Sequence, residues 1–358
     1  MNSHYYGLIL AGGRGTRFWP RSRRRWAKQV LNVVGERSLI QATVDRLTPV
    51  IPPERIWVLT NEHLREAIVR QLPEVPKRQV LAEPVQRNTA AAIGLAAHIL
   101  HSVDAKAVMG VFPSDHVVGK PAPYRAALRA AFRGAAGGHL MVVGIQPRWP
   151  ETGYGYVEFP RGSKPGTLEP VPVKKFHEKP EAAKAKRYLA AGNFYWNSGM
   201  FFWRTETLLD ELRQHLPKTA TILAALPRFG GRNFAAKLAE AFPLCDNISI
   251  DYAVLEKAKK VSGIPAGDFE WNDVGSWNAV YELLPRDGCG NVMAKESVCL
   301  DAFNNFVDAR GKMVALVGVK DLIVVDTPDA LLVASRDKAQ QVGDVVKALE
   351  KQKRDELL

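Results

Sequence analysis

The chain has 358 residues and a net charge of +12, with 46% hydrophobic and 24% charged residues, a composition that excludes disordered and fibrous classes. No apolar run approaches the roughly 18 residues of a membrane span, and the three scattered cysteines (Cys245, Cys289, Cys299) fit neither a disulfide framework nor a zinc site. No basic-then-apolar leader precedes the first predicted strand, so we expect a cytoplasmic protein with no membrane partner.

The first half alternates β-rich runs with helical patterns, some of which begin at a capping Ser or Asn. The predicted strands are 5–11, 55–60, 79–82, 107–112 and 139–144, and the predicted helices are 38–47, 61–71, 88–101 and 124–135. Strands that alternate with helices pair in parallel through right-handed crossovers, which predicts a three-layer α/β, Rossmann-like domain. Ligands of such sheets bind beyond the carboxyl ends of the strands, at the loops 11–28, 83–89 and 113–118.

The second half is less regular. The predicted strands are 154–159 and 171–178, and the predicted helices are 181–191, 205–215, 251–259 and 338–352. Residues 290–335 are rich in Val and Asp and predict short strands with no long helix. We place a boundary at the turn-forming Asp-Gly of residues 287–288. This divides the chain into a domain of residues 1–287 and a small β-rich domain of residues 288–358, for which a short β-helix is one arrangement.

A glycine-rich loop follows the first predicted strand and is crowded by positive charge. Seven cationic residues and no acid lie within residues 14–28: Arg14, Arg17, Arg21, Arg23, Arg24, Arg25 and Lys28. Local basicity beside glycines indicates a polyanionic ligand, with a nucleic-acid patch or a solvated basic loop as the alternatives. The loop lacks the Gly-Lys-Ser/Thr ending of a P-loop, and Phe18 replaces the third glycine of a dinucleotide fingerprint.

The run L-A-G-G-R-G-T-R-F-W-P at residues 10–20, followed by Lys28-Gln29, resembles the signature of sugar-1-phosphate nucleotidyltransferases. Seven further segments are similar to the mannose-1-phosphate guanylyltransferase branch of that family. They are E-P-x-x-R-N-T-A (83–90), F-P-S-D-H (112–116), G-Y-G-Y (153–156), F-H-E-K-P (176–180), W-N-S-G-M (196–200), W-N-D-V-G-S-W (271–277) and D-L-I-V-V-D-T-P-D-A (321–330).

The resemblance implies a nucleotide-diphospho-sugar transferase fold and the Mg²⁺-dependent transfer of GMP from GTP to α-D-mannose 1-phosphate. The alternatives are another sugar 1-phosphate, such as a manno-heptose phosphate, another nucleotide, or a non-catalytic subunit that binds a nucleotide sugar. A nucleic-acid-binding protein is the third class, which the interspersed sugar motifs disfavour. We therefore expect no nucleic-acid partner, and a homodimer is a possible assembly.

The reaction needs charge neutralisation rather than a covalent intermediate, so Lys28 and Arg17 are candidates for holding the triphosphate and the leaving pyrophosphate. The resemblance implies that Asp115 and Asp273 bind the metal, and hard carboxylate oxygens suit Mg²⁺. These four are the predicted catalytic residues. An attacking phosphate is already ionised, so we expect no catalytic role for His116.

On the sugar side, the resemblance implies that Glu178 binds hydroxyls and Lys179 the phosphate, with further contacts from Asn197 and the backbone of Gly155. Neighbours on a strand point to opposite faces, so we expect no mutual ion pair between Glu178 and Lys179.

On the nucleotide side, a carboxylate or carbonyl together with an N–H group is the set that guanine requires. Residues of the 83–89 loop either contact the base or shape the loop and cap the next helix. The predicted nucleotide-binding residues are Leu10, Ala11, Gly12, Gly13, Gly15, Thr16, Glu83, Arg87, Asn88, Thr89 and Ser114.

Overall fold

The structure is a computed structural model that describes residues 2–293 and 296–358. The strands are β1 (Tyr5–Leu10), β2 (Ile56–Asn61), β3 (Val80–Glu83), β4 (Val108–Pro113), β5 (Val117–Val118), β6 (Leu140–Ile145), β7 (Tyr156–Glu158), β8 (Val171–Pro172), β9 (Lys175–His177), β10 (Phe194–Arg204), β11 (Val261–Ala266), β12 (Trp271–Asn272), β13 (Ser297–Leu300), β14 (Phe306–Asp308), β15 (Val314–Val317), β16 (Leu322–Asp326) and β17 (Leu331–Ser335).

The α-helices are α1 (Leu39–Leu47), α2 (Glu62–Gln71), α3 (Asn88–Val103), α4 (Pro121–Ala136), α5 (Ala182–Ala191), α6 (Thr205–His215), α7 (Pro217–Ala224), α8 (Phe234–Ala241), α9 (Trp277–Leu283) and α10 (Val342–Lys351). The predicted caps of the first two helices are present: Ser38 forms a capping box with Gln41, and Asn61 accepts a hydrogen bond from the Leu64 N–H. Within the described part of the chain, every helix is too short or too polar to span a bilayer.

The main sheet has the strand order β3-β2-β1-β4-β10-β6-β11-β8, with β7 and β9 attached beside β10. Strands β1 to β4 pair in parallel, as do β6 and β11, while β10 runs antiparallel between β4 and β6. One apolar core packs α3 and α6 against one face, and a second core packs α1, α2 and α4 against the other. The predicted three-layer, mostly parallel α/β architecture is confirmed.

Several predicted elements differ in the structure. The central strand β10 is not among the predicted strands, although it contains the W-N-S-G-M motif of residues 196–200. The structure forms a bulge there, with a register shift between Asn197 and Phe201 and Gly199 at φ 69°. The predicted strand 171–178 is two short strands, β8 and β9. The predicted helix 251–259 is one π-helical turn, Asp251–Leu255, and the last helix starts with a 3-10 segment, Arg336–Gln341.

The C-terminal part stacks short parallel pairs, β13 with β15 and β14 with β16, around a small apolar core. Parallel pairing between strands this close in sequence is typical of a β-helix, the arrangement considered from the sequence. A further core joins this part to the signature loop, defined as residues 11–28. Phe18 and Trp19 pack there with Trp277 and with Val342 and Val346 of α10.

Candidate active site

The signature loop is held at the carboxyl end of β1 by a side chain that binds its backbone carbonyls. The Gln29 amide donates to the carbonyls of Ala11 (2.7 Å) and Gly13 (3.1 Å). Gly15 adopts a left-handed conformation with φ 62°, and a Cβ added there would lie 2.5 Å from the Cβ of Lys28. The absence of a side chain at Gly15 therefore allows the loop to pack closely against Lys28.

A cavity of about 580 Å³ opens beside this loop, at the carboxyl ends of β1, β3 and β4. It is lined by Leu10, Gly12, Gly13, Gln29, Leu59, Glu83, Gln86, Asn88, Thr89, Ala92, Ser114, Asp115 and Asn247. The sequence did not select Leu59, Ala92 or Asn247, since no motif includes Leu59 or Asn247 and Ala92 continues an ordinary helical pattern. Gln86 occupies an x position of its motif, yet its amide donates to the Gly12 carbonyl at 2.6 Å.

Some predicted nucleotide-binding residues lie outside the wall of this cavity: Ala11, Gly15, Thr16 and Arg87. The Arg87 guanidinium donates instead to the carbonyl of Pro243, so this residue shapes the loop. Thr89 lines the cavity, and its hydroxyl also accepts from the Ile250 N–H at 2.9 Å.

Glu83 is a buried carboxyl group in the cavity wall. Its Oε1 has no hydrogen-bond partner among the described residues, and burial raises its pKa to about 7. A buried carboxyl oxygen without a partner is costly, so a donor from a ligand would be favourable at this point.

Lys28 lies where the ends of two distant segments meet. Its Nζ donates to Asp115 Oδ2 at 2.9 Å and to the backbone carbonyl of Asp273 at 2.6 Å, and the side chain is almost fully buried. Burial opposes ionisation of Asp115, but the charge and hydrogen bond of Lys28 hold the pKa of that carboxyl below its ordinary value. Pairing of β5 with β12 brings the two aspartate segments together.

Two aromatic side chains, Tyr154 and Trp271, donate hydrogen bonds to residues next to Lys28. The Tyr154 hydroxyl donates to Asp273 Oδ1 at 2.6 Å, and burial together with Asp273 raises the pKa of Tyr154, so the hydroxyl stays a donor. Burial lowers the pKa of His116 to about 4, and its Nδ1 accepts from the Trp271 indole at 3.1 Å. A neutral, hydrogen-bonded His116 has a packing role.

The predicted sugar residues form a second cluster beyond Asp273. A Cβ on Gly155 would lie 2.7 Å from Glu178 Oε2, and the Asn197 N–H donates to the Gly155 carbonyl at 2.8 Å. The Asn197 amide donates to Asp251 at 2.9 Å, a contact that the sequence did not indicate. Lys179 Nζ lies 3.2 Å from Glu178 Oε1.

The prediction that Glu178 and Lys179 would not pair is therefore wrong. Strand β9 ends at His177, and Lys179 has a φ of 39°, so the alternation of a strand no longer applies to these two residues.

The sequence interpretation took the positive charges of residues 14–28 together as a site for a polyanionic ligand, but several of them have acidic partners within the chain. Four of its arginines pair with acids of the C-terminal part: Arg14 with Glu350 (2.6 Å), Arg21 with Asp308 (2.7 Å), Arg23 with Asp329 (3.1 Å) and Arg24 with Asp355 (2.9 Å). Four of the seven positive charges in residues 14–28 therefore form ion pairs that hold the signature loop against the C-terminal part.

The chain matches two family models. Residues 6–288 match the family described as nucleotidyl transferase, and residues 295–349 match the MannoseP isomerase/GMP-like beta-helix domain. A mannose-1-phosphate guanylyltransferase of Escherichia coli is 37% identical over 354 residues, which are 98% of this chain and 74% of that protein.

Two further likenesses cover nearly the whole chain. The alginate biosynthesis protein AlgA of Pseudomonas aeruginosa is 38% identical over 357 residues, 98% of this chain and 73% of that protein. A crystal structure described as mannose-1-phosphate geranyltransferase from Thermus thermophilus is similar at 36% identity with a TM-score of 0.85, covering 97% of this chain and 99% of that one.

Proposed function

The chain belongs to the nucleotidyl transferase family, and from that premise we propose that it transfers GMP from GTP to α-D-mannose 1-phosphate, forming GDP-mannose and pyrophosphate. Relatives named mannose-1-phosphate guanylyltransferase match 98% of the chain at 37% identity. The observation that carries the proposal is the position of Lys28, a buried ammonium that joins Asp115 to the Asp273 segment beside a cavity of nucleotide size.

The nucleotide would bind in the cavity beside the signature loop. Glycines there leave the backbone N–H groups of the loop open to phosphate oxygens. Guanine offers N–H donors at N1 and N2, and Glu83 offers a buried carboxyl oxygen without a partner among the described residues. We assign base recognition to Glu83, with Asn88 and Thr89 completing the wall.

Asp115 and Asp273 are suited to a divalent cation, which we propose to be Mg²⁺. The described residues include no group of three or more His, Cys, Asp or Glu that could hold a metal alone. Mg²⁺ typically takes only one or two carboxylates and completes its shell with waters and substrate phosphates, so two aspartates fit it. When bound, the cation would supply charge neutralisation for the phosphates.

The chemical step needs positioning and fixed charge from the chain. An ionised oxygen of the sugar phosphate forms a bond to the α-phosphorus, and the bond from that phosphorus to the β-phosphate oxygen breaks, releasing pyrophosphate. Lys28 and Arg17 would stabilise the charge on the leaving group. Glu178, Asn197 and the Gly155 backbone would hold the sugar, with Lys179 at its phosphate.

We further propose a catalytic domain of residues 1–287 and a β-rich domain of residues 288–358, a division that the family matches at 6–288 and 295–349 support. The cytoplasmic location, the homodimer and the lack of a nucleic-acid partner stay predictions.

Pyrophosphate release, measured with each nucleoside triphosphate against several sugar 1-phosphates, with and without Mg²⁺, tests the proposal. We expect GTP with mannose 1-phosphate to give the highest kcat/KM, and Mg²⁺ to be required. A preference of about tenfold or more for UTP or dTTP would contradict the guanylyl assignment while leaving the reaction class intact. A preference for a manno-heptose phosphate would contradict the sugar assignment.

A further inference from the structure

Arg17 differs from four of the five other arginines of the signature loop in the partner of its guanidinium. Its Nη1 donates to the side-chain carbonyl of Gln340 at 2.7 Å. Among the described residues no carboxylate lies within 4.0 Å of Arg17, whereas the arginines at 14, 21, 23 and 24 each have one. The C-terminal part therefore supplies acids to four arginines and an amide to Arg17.

An amide and a carboxylate do different things to a guanidinium. Both accept its N–H group and restrict its orientation, but only the carboxylate cancels its charge. An arginine that stabilises a polyanion needs a fixed orientation and a full positive charge. A neutral acceptor provides both.

Arg17 also lies close to the acidic pair of the site. A Cβ added at Gly275 would be 3.6 Å from Arg17 Nη1 and 3.1 Å from Asp273 Oδ2, so both side chains border the same small space. The Arg17 guanidinium therefore lies near Asp273, the residue assigned to the cation that would neutralise the phosphates.

Gln340 is held on a well-anchored segment. Arg336, in the same 3-10 segment, stacks on Tyr281 at 3.5 Å and donates to Asn278 at 2.9 Å, and both partners belong to α9, which follows Asp273 closely. At the start of α10, a Cβ on Gly343 would meet Arg17 Cγ at 3.5 Å. Gln340 is therefore presented to Arg17 by packing that does not depend on their own contact.

We propose that Gln340 is a positioning residue for the nucleotidyl transfer: it orients Arg17 towards the leaving pyrophosphate, and it does so because it is neutral. The inference rests on the proposed function, since it requires Arg17 to act on the triphosphate. It makes the C-terminal part a contributor to the active site.

The test compares Gln340→Glu with Gln340→Ala. Glutamate keeps the length and the acceptor but cancels the charge of Arg17, whereas alanine frees an uncancelled arginine. We expect Gln340→Glu to lower kcat by about tenfold and to weaken the binding of inorganic pyrophosphate in calorimetry, a smaller loss than that for complete removal of a preorganised charge. Gln340→Ala should lose less, and both variants should keep the melting temperature.

Gln341→Glu is the matched control, because it adds the same charge at the adjacent exposed position. In an Arg17→Ala background, Gln340→Glu should have no further effect on pyrophosphate binding. A purely structural contact predicts the opposite order, with glutamate tolerated and alanine harmful, and that order would overturn the inference. So would an equal effect of Gln340→Glu with and without Arg17.

The two proposals fail separately. Wild-type protein that binds pyrophosphate but releases none from GTP and mannose 1-phosphate contradicts the proposed function. An active wild type with a fully active Gln340→Glu variant contradicts only the role of Gln340.

Discussion

Lys28 and Glu83 are both buried ionisable side chains, yet their surroundings have opposite consequences. Lys28 has a carboxylate and a carbonyl within hydrogen-bonding distance, so its charge is compensated. Glu83 Oε1 has no partner among the described residues, and its pKa is raised by burial alone. A buried carboxyl oxygen without a hydrogen-bond donor is stabilised when a ligand supplies one. Guanine carries such N–H donors, and this is the physical basis for assigning Glu83 to the base.

The raised pKa of Glu83 predicts a pH-dependent cost in the ligand-free protein. Below its ordinary pKa of about 4.5, Glu83 is protonated in both states. Between there and about 7 the unfolded chain ionises while the folded chain keeps its proton, so stability falls as pH rises. Glu83→Gln, which cannot ionise, should gain stability relative to wild type over this window, by up to about 3 kcal/mol at pH 8.

Urea unfolding of both proteins at pH 5 and pH 8 measures this gain, with Glu74→Gln, an exposed glutamate, as the control. The same Glu83→Gln variant should lose preference for GTP, because an amide offers guanine only one acceptor. A stability difference between the two proteins that is the same at pH 5 and pH 8 would mean that folding does not raise the pKa of Glu83.

At the scale of elements, the alternating first half was predictable because each strand and helix carries its own signals. The strand starts and the Ser38 and Asn61 caps follow from local chemistry, and the structure has them within one or two residues. The long strand β10 was not predictable in this way, because its bulge at Gly199 depends on pairing with β4 and β6.

In the candidate active site too, residue types could be predicted from local motifs, whereas their contacts depend on long-range pairing. Motif residues such as Asp115 and Asp273 could be named from the sequence, but their common contact with Lys28 arises from the β5–β12 pairing, a long-range event. The half-buried Arg46 is an example of a contact that no sequence motif indicates. It lies on helix α1 and donates to the carbonyl of His116 at 2.8 Å, next to Asp115.

The turn at Gly15 gives a prediction for the signature loop as an element. Gly15→Ala combines a left-handed φ with a Cβ that would lie 2.5 Å from Lys28 Cβ, so Lys28 must move. We expect a loss of about 1–3 kcal/mol in the free energy of unfolding and a fall in kcat of about 10²-fold, because a fixed charge is displaced.

Gly35→Ala is the control for the backbone alone, since Gly35 has a φ of 76° and, apart from its chain neighbours, no described atom lies within 4 Å of an added Cβ. It should show part of the stability loss with nearly normal kcat. Similar activity in the two variants would mean that the Gly15 contact does not position Lys28.

At the scale of the whole molecule, the C-terminal part is docked on the signature loop rather than tethered beside the catalytic part. The Trp19 indole donates to the Leu357 carbonyl at 3.0 Å, and Trp19 shares an apolar core with Val342 and Val346 of α10. The signature loop belongs both to this interface and to the proposed phosphate site. Substitutions that weaken the interface should therefore also weaken phosphate binding.

The pair of Arg21 and Asp308 gives the sharpest test of this coupling. Both side chains are mostly buried, 12% and 21% exposed, at 2.7 Å. Burial lowers the pKa of Arg21, with Asp308 opposing that effect, so removal of the aspartate leaves a desolvated cation. Asp308→Ala should cost about 2–3 kcal/mol of stability and raise the KM for GTP, as measured by urea unfolding and initial rates.

Asp45→Ala is the control, because it removes the partner of Arg37 from an exposed ion pair in which each side chain is 50% exposed. It should cost less than about 1 kcal/mol of stability and leave the KM for GTP unchanged. If Asp308→Ala lowers stability but leaves the KM for GTP at the value of Asp45→Ala, the C-terminal part stabilises the fold without reaching the active site.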